Sequence, residues 1–376
     1  MLTFLLATVL LFPAPPPAPP ELAEAPIEVA MDLRWMKPAI QVKLNGTGPY
    51  WFILDSGAGP YLIVDADLAA ELKFPPEGKE TIGDPTNPHA LTVDKVLVDR
   101  AEVGTLVYEG VEALTWDKVL YSGANRPRGI VGMGLFGGRL VTLDYPAGKV
   151  RLERGDLPEP DGNTVLNAPM SHNVPSIEIL VDGKPVMARL DTGSTGFLSL
   201  PTEYVGKLPL TGEPIEVGRA HTVNREYPVL SSTLKGAIGV GGLRIQNPVL
   251  NFIDTGGANV GTDLLRYLVV TIDKRNQRVR LVSDGKPIMA STRPRLGIIA
   301  TVVQDGRIPI TRLTPGSPAE KAGLRVGDAV VKINGEPVAP MKAGDLALAL
   351  RATPLRLTLL REGSEVEVEV DMEPAL

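Results

Sequence analysis

The chain has 376 residues, no cysteine and a formal net charge of −6 at neutral pH. This length is sufficient for two or three domains with hydrophobic cores, and the lack of cysteine excludes disulfides and thiolate metal sites. The acidic balance argues against partners such as nucleic acid or an anionic membrane surface. Only 22% of the residues are charged, whereas glycine (39) and proline (35) are abundant, which favours short strands and turns over long helices.

An apolar run at residues 2–12 opens the chain, and a Pro/Ala-rich spacer follows at 13–20. The run is long enough for the core of a signal peptide and too short to span a bilayer. Ala-Glu-Ala at 23–25 suits a cleavage site, although no Lys or Arg precedes Arg34 and a proline follows the cut. We expect residues 1–25 to be a signal peptide and spacer, and the protein to be periplasmic or secreted, with no stable membrane span after signal removal. The alternative is a disordered or buried N-terminus.

The segment Phe-Ile-Leu-Asp-Ser-Gly-Ala-Gly at 52–59 is an apolar strand that ends in an aspartate, a hydroxyl residue and a glycine. It follows a predicted strand at 39–44 and a hairpin turn, Asn-Gly-Thr-Gly, at 45–48. The strand holds the carboxylate rigidly, and Gly57 permits a sharp backbone turn. Alone, the motif is weak, because glycine after aspartate is ordinary turn chemistry.

Further along, residues 66–72 predict a short helix, and 91–98 and 103–111 predict strands that we expect to supply a flap over a cleft. Gly-Met-Gly-Leu-Phe-Gly at 132–137 matches the dinucleotide fingerprint. That fingerprint requires a crossover helix after it, and the strand beginning at 141 leaves no room for one. The interpretation we favour is close packing behind the Asp55 loop, without a cofactor.

The aspartate motif recurs as Ala-Arg-Leu-Asp-Thr-Gly-Ser-Thr-Gly at 188–196, and the two aspartates are 136 positions apart. Ile-Val-Gly at 130–132 recurs as Asn-Val-Gly at 259–261. The strand pattern at 141–152 recurs at 270–281, an offset of 129, and the pattern at 103–106 recurs at 240–243. Matches in the same order at nearly one offset indicate an internal duplication.

Two carboxylates brought face to face cannot both ionise, because each charge raises the pKa of the other. One then acts as general base on a water while its protonated partner polarises a carbonyl.

A third Asp-Thr-Gly at 254–256 is assigned to a turn, since its offset counterpart is the loop residue Asn125. The three histidines, His89, His172 and His221, lack paired metal-ligand spacing, so no metal site is expected. No G-x-S-x-G elbow occurs, and nothing selects Ser-His-Asp chemistry.

These motifs resemble the retropepsin-like aspartic proteases, specifically their bacterial single-chain, two-lobed versions, over residues 36–283. The resemblance implies a mainly β fold in which duplicated lobes, 26–160 and 161–290, form a pseudo-dimer around a cleft for a polypeptide substrate. One departure is Asn259, which stands where the family usually has an apolar residue. The implied catalytic residues are Asp55 and Asp191, and the implied dyad-supporting residues are Ser56, Gly57, Thr192 and Gly193.

From residue 291 onward the motifs at 315–319, 322–328 and 333–338 closely resemble a bacterial PDZ domain, which would occupy 291–376. If so, Leu296, Gly297 and Ile298 form the loop whose amides hold a peptide carboxylate. A helix near 346–350 then flanks a groove to which a peptide C-terminus or an internal strand adds. The alternative is a PDZ fold that packs against the protease and binds nothing.

The sequence therefore predicts an aspartic endopeptidase whose PDZ domain recruits substrate or regulates access to the cleft. A catalytically inactive peptide-binding or scaffold protein that uses the cleft and the PDZ groove is the alternative. A third possibility is a latent protease that is controlled by its C-terminal domain.

Overall fold

A computed structural model describes residues 25–82, 91–117, 119–221, 226–254, 256–288, 296–300, 303 and 305–372. These residues form four β-sheets and only short helices, so the predicted mainly β fold is confirmed. Three features of the sequence lie wholly or mostly outside the described residues: the expected signal peptide and spacer, His89, and Thr255 of the third Asp-Thr-Gly.

The first half of the chain builds a seven-stranded sheet that ends in the Asp55 loop. Its strand order is β2-β3-β8-β4-β7-β6-β5. Strand β3 pairs with β8 in parallel, which sets Asp55 opposite Gly132. The element bounds are Ile27–Ala30 (β1), Ala39–Leu44 (β2), Thr47–Asp55 (β3), Leu62–Asp65 (β4), Ala66–Glu71 (α1), Pro76–Ile82 (β5), Leu91–Val103 (β6), Leu106–Trp116 (β7), Gly129–Gly132 (β8), a 3₁₀ turn at Met133–Phe136, Leu140–Asp144 (β9) and Lys149–Glu153 (β10).

The second half builds a sheet in the order β16-β17-β20-β15-β21-β14-β13-β18-β19, with β12 beside β13. Strand β14 runs parallel to β21 and sets Leu190, just before Asp191, opposite Val260, as β3 and β8 do in the first half. The bounds are Val165–Asn167 (β11), Met170–Ser171 (β12), Val174–Val181 (β13), Lys184–Leu190 (β14), Leu198–Leu200 (β15), a 3₁₀ turn at Thr202–Lys207, Ile215–His221 (β16), Glu226–Thr233 (β17), Ala237–Val240 (β18), Leu243–Gln246 (β19), Val249–Phe252 (β20), Ala258–Val260 (β21), Thr262–Leu265 (α2), Leu268–Asp273 (β22) and Arg278–Ser283 (β23).

A six-stranded sheet, β1-β10-β9-β22-β23-β11, joins the two lobes. At its centre β9 and β22 run antiparallel, and the buried hydroxyls of Thr142 and Thr271 share a hydrogen bond of 3.0 Å. The sequence pattern assigned these strands to separate lobes, whereas they pair with each other. In consequence one hydrophobic core, from Met31 to Leu281, runs through both lobes.

The prediction that the strands at 91–98 and 103–111 together form the flap is wrong. The turn between β6 and β7 lies against β1 of the joining sheet, because a Cβ on Gly104 would be 2.9 Å from the side chain of Val29. β6 pairs with β7 in the first sheet, and β17 pairs with β20 in the second sheet. The β5–β6 hairpin is therefore the counterpart of the β16–β17 hairpin. The tips of both hairpins, 83–90 and 222–225, lie outside the described residues.

The C-terminal domain has its own core and folds as its motifs predicted. Ser317 caps the short helix α3 by accepting from the amide of Glu320, and Asn334 and Gly335 turn with positive φ between β26 and β27. The bounds are Ile298–Ala300 (β24), Ile308–Leu313 (β25), Pro318–Lys321 (α3), Ala329–Ile333 (β26), Glu336–Pro337 (β27), Ala343–Ala349 (α4), Leu355–Arg361 (β28) and Ser364–Val370 (β29).

This domain packs against both lobes. On the first lobe, the amide of Gly344 in α4 donates to the carbonyl of Leu120 at 2.7 Å, and the amide of Ser122 donates to Asp345 at 2.9 Å. On the second lobe, Arg312 pairs with Glu216 of β16 at 3.2 Å. The C-terminal domain therefore contacts both halves of the two-lobed unit.

Gly344→Ala is expected to loosen this packing. A methyl group there would lie 2.4 Å from the ring of Tyr121 and 2.6 Å from the carbonyl oxygen of Leu120. The clash opposes the gain of about 1 kcal/mol that alanine normally brings to a helix interior. We expect a larger radius of gyration by small-angle scattering, and no change in the control Gly206→Ala, whose new methyl group meets open space. Identical scattering from Gly344→Ala and the unmodified protein would contradict this packing.

Candidate active site

The structure brings Asp55 and Asp191, which end equivalent strands of the two lobes, to one point. A Cβ on Gly193 would lie 2.2 Å from Oδ2 of Asp55, and a Cβ on Gly57 would lie 2.6 Å from Oδ1 of Asp191. The two carboxyls are within hydrogen-bonding reach of each other. Both glycines are therefore required for close approach: any side chain at either position would push the opposite carboxyl away.

Ser56 and Thr192 fix the two loops to each other through four hydrogen bonds. The amide of Ser56 donates to Oγ1 of Thr192 at 2.8 Å, and the amide of Thr192 donates to Oγ of Ser56 at 3.1 Å. Each hydroxyl then donates across the interface, from Ser56 to the carbonyl of Leu190 at 2.6 Å and from Thr192 to that of Leu54 at 2.7 Å. Both side chains are buried, so no water competes for these partners, and the two carboxyls are held in a fixed relation.

The apolar-Gly segments lie directly behind these loops. A Cβ on Gly132 would be 2.1 Å from the carbonyl oxygen of Pro60, and one on Gly261 would be 2.4 Å from that of Gly196. Gly132, the first glycine of the segment that matches the dinucleotide fingerprint, is therefore needed for close packing behind the Asp55 loop. The segment after it is the 3₁₀ turn at Met133–Phe136, followed by β9.

Burial is the largest influence on Asp55 and raises its pKa. The positive charge of Lys37 opposes this rise, as do the amides of Gly57 and Gly193, which donate to the carboxyl. The amide of Gly57 is 2.7 Å from Oδ1 of Asp55. These groups stabilise the charged form of Asp55, but by less than the free energy that burial of the charge costs. The net effect on the pKa of Asp55 is therefore upward.

Burial followed by the negative charge of Asp55 raises the pKa of Asp191 to about 7. The charges of Lys37 and Arg189 and the amide of Ser194 lower it by smaller amounts. The hydrogen bond from Asp191 in turn lowers the pKa of Asp55, so the two carboxyls share a proton and titrate as a unit. The pair keeps one proton up to near-neutral pH, which is the state in which one group accepts a proton and the other donates one.

Asn259 also contacts the dyad, and the sequence marked it only as a departure from the family. Its amide nitrogen donates to Oδ2 of Asp191 at 3.2 Å, while its own Oδ1 is buried without a partner. The equivalent position in the first lobe is Ile130, which pairs with Ile53 as Asn259 pairs with Arg189. The two carboxyls therefore have unequal surroundings.

Lys37 was missed by sequence reasoning. Ala39 pairs with Ile53 across β2 and β3, so residue 37 continues toward Asp55. The carbonyl of Pro38 accepts from the amide of Leu54 at 2.8 Å, which extends this register. The predicted hairpin at 45–48 brings residue 37 near the end of β3, but its pairing opposite Asp55 depends on a register shift between Val42 and Leu44 that the sequence does not indicate.

Other residues that the sequence raised do not join this pair. Asp254 is exposed at the end of β20. Asp273 is buried and accepts from the amides of Leu157 and Asn276, and the second of these bonds caps the turn after β22. His172 accompanies Ser171 in an exposed turn with 3.2 Å between Nδ1 and Oγ. The described residues contain no group of three or more His, Asp or Glu side chains suited to a metal ion.

The loop at 296–298 begins the C-terminal domain and turns at Gly297, where φ is +81°. A Cβ there would lie 2.1 Å from that of Ser317, so only glycine fits. The carbonyls of Leu296 and Gly297 accept from Ala319 and Thr314 inside the domain. The loop is thereby held in one conformation at the end of edge strand β24.

Two facing carboxyls in a mainly β fold are the arrangement expected of an acid–base hydrolase that works without a covalent intermediate. Residues 40–135 match the model of the aspartyl protease family, and residues 310–361 match that of the PDZ domain. The resemblance to an aspartyl protease followed by a PDZ domain is thereby confirmed for these two segments, and both support a peptidase.

Two curated proteins share a shorter segment with this chain. Probable periplasmic serine endoprotease DegP-like proteins of Chlamydia trachomatis serovar D and Chlamydia muridarum are 40% and 41% identical over 63 residues. The similar segment is 16% of this chain and 13% of either relative. Within the part of the chain that the structure describes, no helix is long and apolar enough to cross a membrane.

Proposed function

We propose that this protein is an aspartic endopeptidase in which Asp55 and Asp191 activate a water molecule. The observation that supports this most is the reciprocal bonding of Ser56 and Thr192, which holds two carboxyls of raised pKa against each other. A binding cleft gains nothing from two like charges at one point, whereas acid–base hydrolysis requires a pair that shares one proton.

In the proposed reaction the ionised carboxyl takes a proton from water as the water oxygen attacks the peptide carbonyl carbon. The protonated carboxyl gives its proton to the carbonyl oxygen, and a tetrahedral diol forms. When the diol collapses, one hydroxyl gives its proton to the carboxylate, the protonated carboxyl of the pair gives its own proton to the peptide nitrogen, and the C–N bond breaks. The dyad ends with one proton, as it began.

The proposal extends to the domain organisation, the export and the substrate of this protein. Equivalent pairings of β3 with β8 and of β14 with β21 favour two lobes derived by duplication, 26–160 and 161–290, with the PDZ domain at 291–376. The relatives' descriptions as periplasmic agree with export of this chain, with residues 1–25 as the signal and spacer. The substrate is a polypeptide, and the PDZ domain recruits it or regulates its access to the cleft.

Digestion of an unfolded protein from acid to neutral pH tests the proposal. We expect cleavage that falls as the pH rises through about 7, where Asp191 loses its proton. Cleavage should persist in the presence of a chelator and of a serine-reactive phosphonate. Inhibition by the phosphonate would indicate a serine mechanism. A protein that binds but never cleaves substrate, with or without its C-terminal domain, would favour the peptide-binding alternative.

Asn259→Ile is expected to shift the active pH range upward. The Asn259 amide donates to Asp191 and so favours its charged form; without it the pKa of the pair rises. A hydrogen bond worth about 0.5–1.5 kcal/mol corresponds to a shift of about one pH unit or less.

The matched variant Ile130→Asn places an amide on the Asp55 side and should move the pH range downward. The measurement for both is the pH profile of kcat/KM. A lower melting temperature with unchanged pH limbs would assign Asn259 a merely structural role.

A further inference from the structure

The β16–β17 hairpin of the second lobe extends beyond the sheet that carries it. Residues 230–233 of β17 pair with β20, whereas residues 226–229 pair only with β16 in the described part of the chain. The register also shifts between Glu216 and Gly218, a β-bulge that leaves Val217 without a partner on β17. Bulges interrupt the ladder and bend the strand. The part of the hairpin beyond the bulge is therefore joined to the rest of its sheet only through its base.

The C-terminal domain lies beside this hairpin. Some Cα atoms of β16 and β24 are within 8 Å of each other, whereas a strand inserted between two others separates them by roughly 9.6 Å. β24 is the edge strand of the C-terminal sheet, and β16 is the edge strand of the second-lobe sheet. Edge strands carry unpaired amides and carbonyls to which a further strand adds. While β16 stays in this place, the edge of β24 is therefore closed to any added strand.

An ion pair joins the hairpin to the C-terminal domain. Glu216 of β16 and Arg312 of β25 are 3.2 Å apart. The side chain of Glu216 is only 18% exposed, whereas that of Arg312 is 65% exposed. A carboxylate that is largely removed from water depends on its partner more than an exposed one does, because loss of the partner leaves its charge uncompensated. The pair therefore favours the position in which β16 lies against β24.

The rest of this contact is loosely packed. A cleft of about 1020 Å³ lies beside the ion pair, with Ile215 and Val217 of β16 on one wall and Leu346 of α4 on the other. Ile215 is 41% exposed, so the cleft leaves much of its apolar surface in water. Tightly packed interfaces have few voids larger than a water molecule. The hairpin is therefore held to the C-terminal domain by few groups, and it separates at little cost in buried apolar surface.

The same cleft reaches the loop that carries Asp191. Thr195 and Phe197, which follow Asp191 by four and six positions, line it together with Gly218 and Val229 of the hairpin. Movement of the hairpin consequently changes the space that leads to the Asp191 side of the dyad.

We infer that the C-terminal domain clamps the β16–β17 hairpin in a closed resting position, and that release of β16 from β24 opens the second-lobe side of the cleft to substrate. An extended segment that adds to the edge of β24 competes with β16 for one place, so it favours the released state. The inference deepens the proposed function by naming the regulation of the same site. It rests on that function for the change in cleavage, whereas the docking of the hairpin does not.

Charge reversal at the ion pair tests the clamp in the full-length protein. Arg312→Glu sets two carboxylates against each other, and we expect faster hydrogen–deuterium exchange in β16. Cleavage of an unfolded protein should rise by about threefold or more, the range in which such ion pairs act. The double variant Glu216→Arg/Arg312→Glu restores the pair in reverse and should return both values toward those of the unmodified protein. Arg356→Glu is the matched control, because it breaks a 3.0 Å pair with Glu369 elsewhere in the same domain.

A cross-link tests the converse. Because the chain contains no cysteine, Glu216→Cys/Arg312→Cys supplies one pair of thiols for a short bismaleimide. The cross-linked protein should cleave more slowly by about tenfold or more, since opening of the site is prevented. The same variant with both thiols capped by N-ethylmaleimide should cleave at least as fast as the unmodified protein.

Unchanged exchange of β16 in Arg312→Glu overturns the clamp, as does faster exchange without faster cleavage. Full activity of the cross-linked protein also overturns it. An equal rise in cleavage in Arg356→Glu would assign the effect to the charge of the domain and would count against the clamp. If none of these proteins cleaves, while exchange is faster in Arg312→Glu and restored in the double variant, the proposed function alone is contradicted.

Discussion

Asp55→Asn and Asp191→Asn are each expected to reduce cleavage by about 10²–10⁴-fold, the usual contribution of acid–base catalysis. Asparagine preserves the shape of the side chain but neither releases nor accepts the proton that the reaction transfers. The loops should remain in place, because the hydroxyls of Ser56 and Thr192 are untouched. The measurement is kcat/KM at the pH optimum of the unmodified protein.

Asp254→Asn is the matched control for these two variants. It makes the same chemical change in a third Asp-Thr-Gly, at an exposed position after β20, and should leave cleavage unchanged. Full activity in Asp55→Asn, or an equal loss in Asp254→Asn, would contradict the assignment of the dyad.

The pH dependence of thermal stability tests the assignment of Asp191 without relying on activity. The pKa of Asp191 is raised from 3.8 to about 7 in the folded protein, so the folded state binds more protons than the unfolded state between these values. Its contribution to stability is therefore fully present below pH 3.8 and is lost as the pH rises through about 7. Asp191→Asn removes this contribution, and we expect its melting temperature to fall less than that of the unmodified protein between these pH values.

Local signals in the sequence predicted much of the fold. The turn at Asn334 and Gly335 and the helix after Ser317 lie within the motifs that resemble a PDZ domain, and both depend only on neighbours in the chain. The meeting of Asp55 and Asp191 followed from an internal repeat, because equivalent strand ends in a two-lobed unit converge.

Features set by long-range pairing could not be predicted in this way. Nothing in the pattern at 141–152 indicates that it pairs with β22, because a strand's alternation shows which faces are buried and not which strand lies beside it. The flap was misplaced for the same reason. The packing of Gly344 on Tyr121 depends on two surfaces that are 223 positions apart, as the bond from Ser122 to Asp345 shows.

Thr192→Ala is expected to have the second largest effect, because this one hydroxyl makes two hydrogen bonds that tie the second lobe to the first. Without it the buried amide of Ser56 loses its acceptor and the carbonyl of Leu54 loses its donor. Each buried group left unpaired costs about 1–3 kcal/mol. We expect a clear decrease in the free energy of unfolding, measured by denaturant titration, together with lower kcat, because the carboxyls lose their fixed relation.

Thr192→Ser is the control, since it keeps the hydroxyl and reproduces the residue that the first lobe uses at Ser56. It should retain most of the stability and the activity. The double variant Ser56→Ala/Thr192→Ala completes the cycle. Because the two residues share hydrogen bonds in both directions, their effects on the free energy of unfolding should fall short of additivity by about 0.5–3 kcal/mol. Strict additivity would mean that the two loops are stabilised independently, and the dyad would then lack the coupling between lobes on which a shared proton depends.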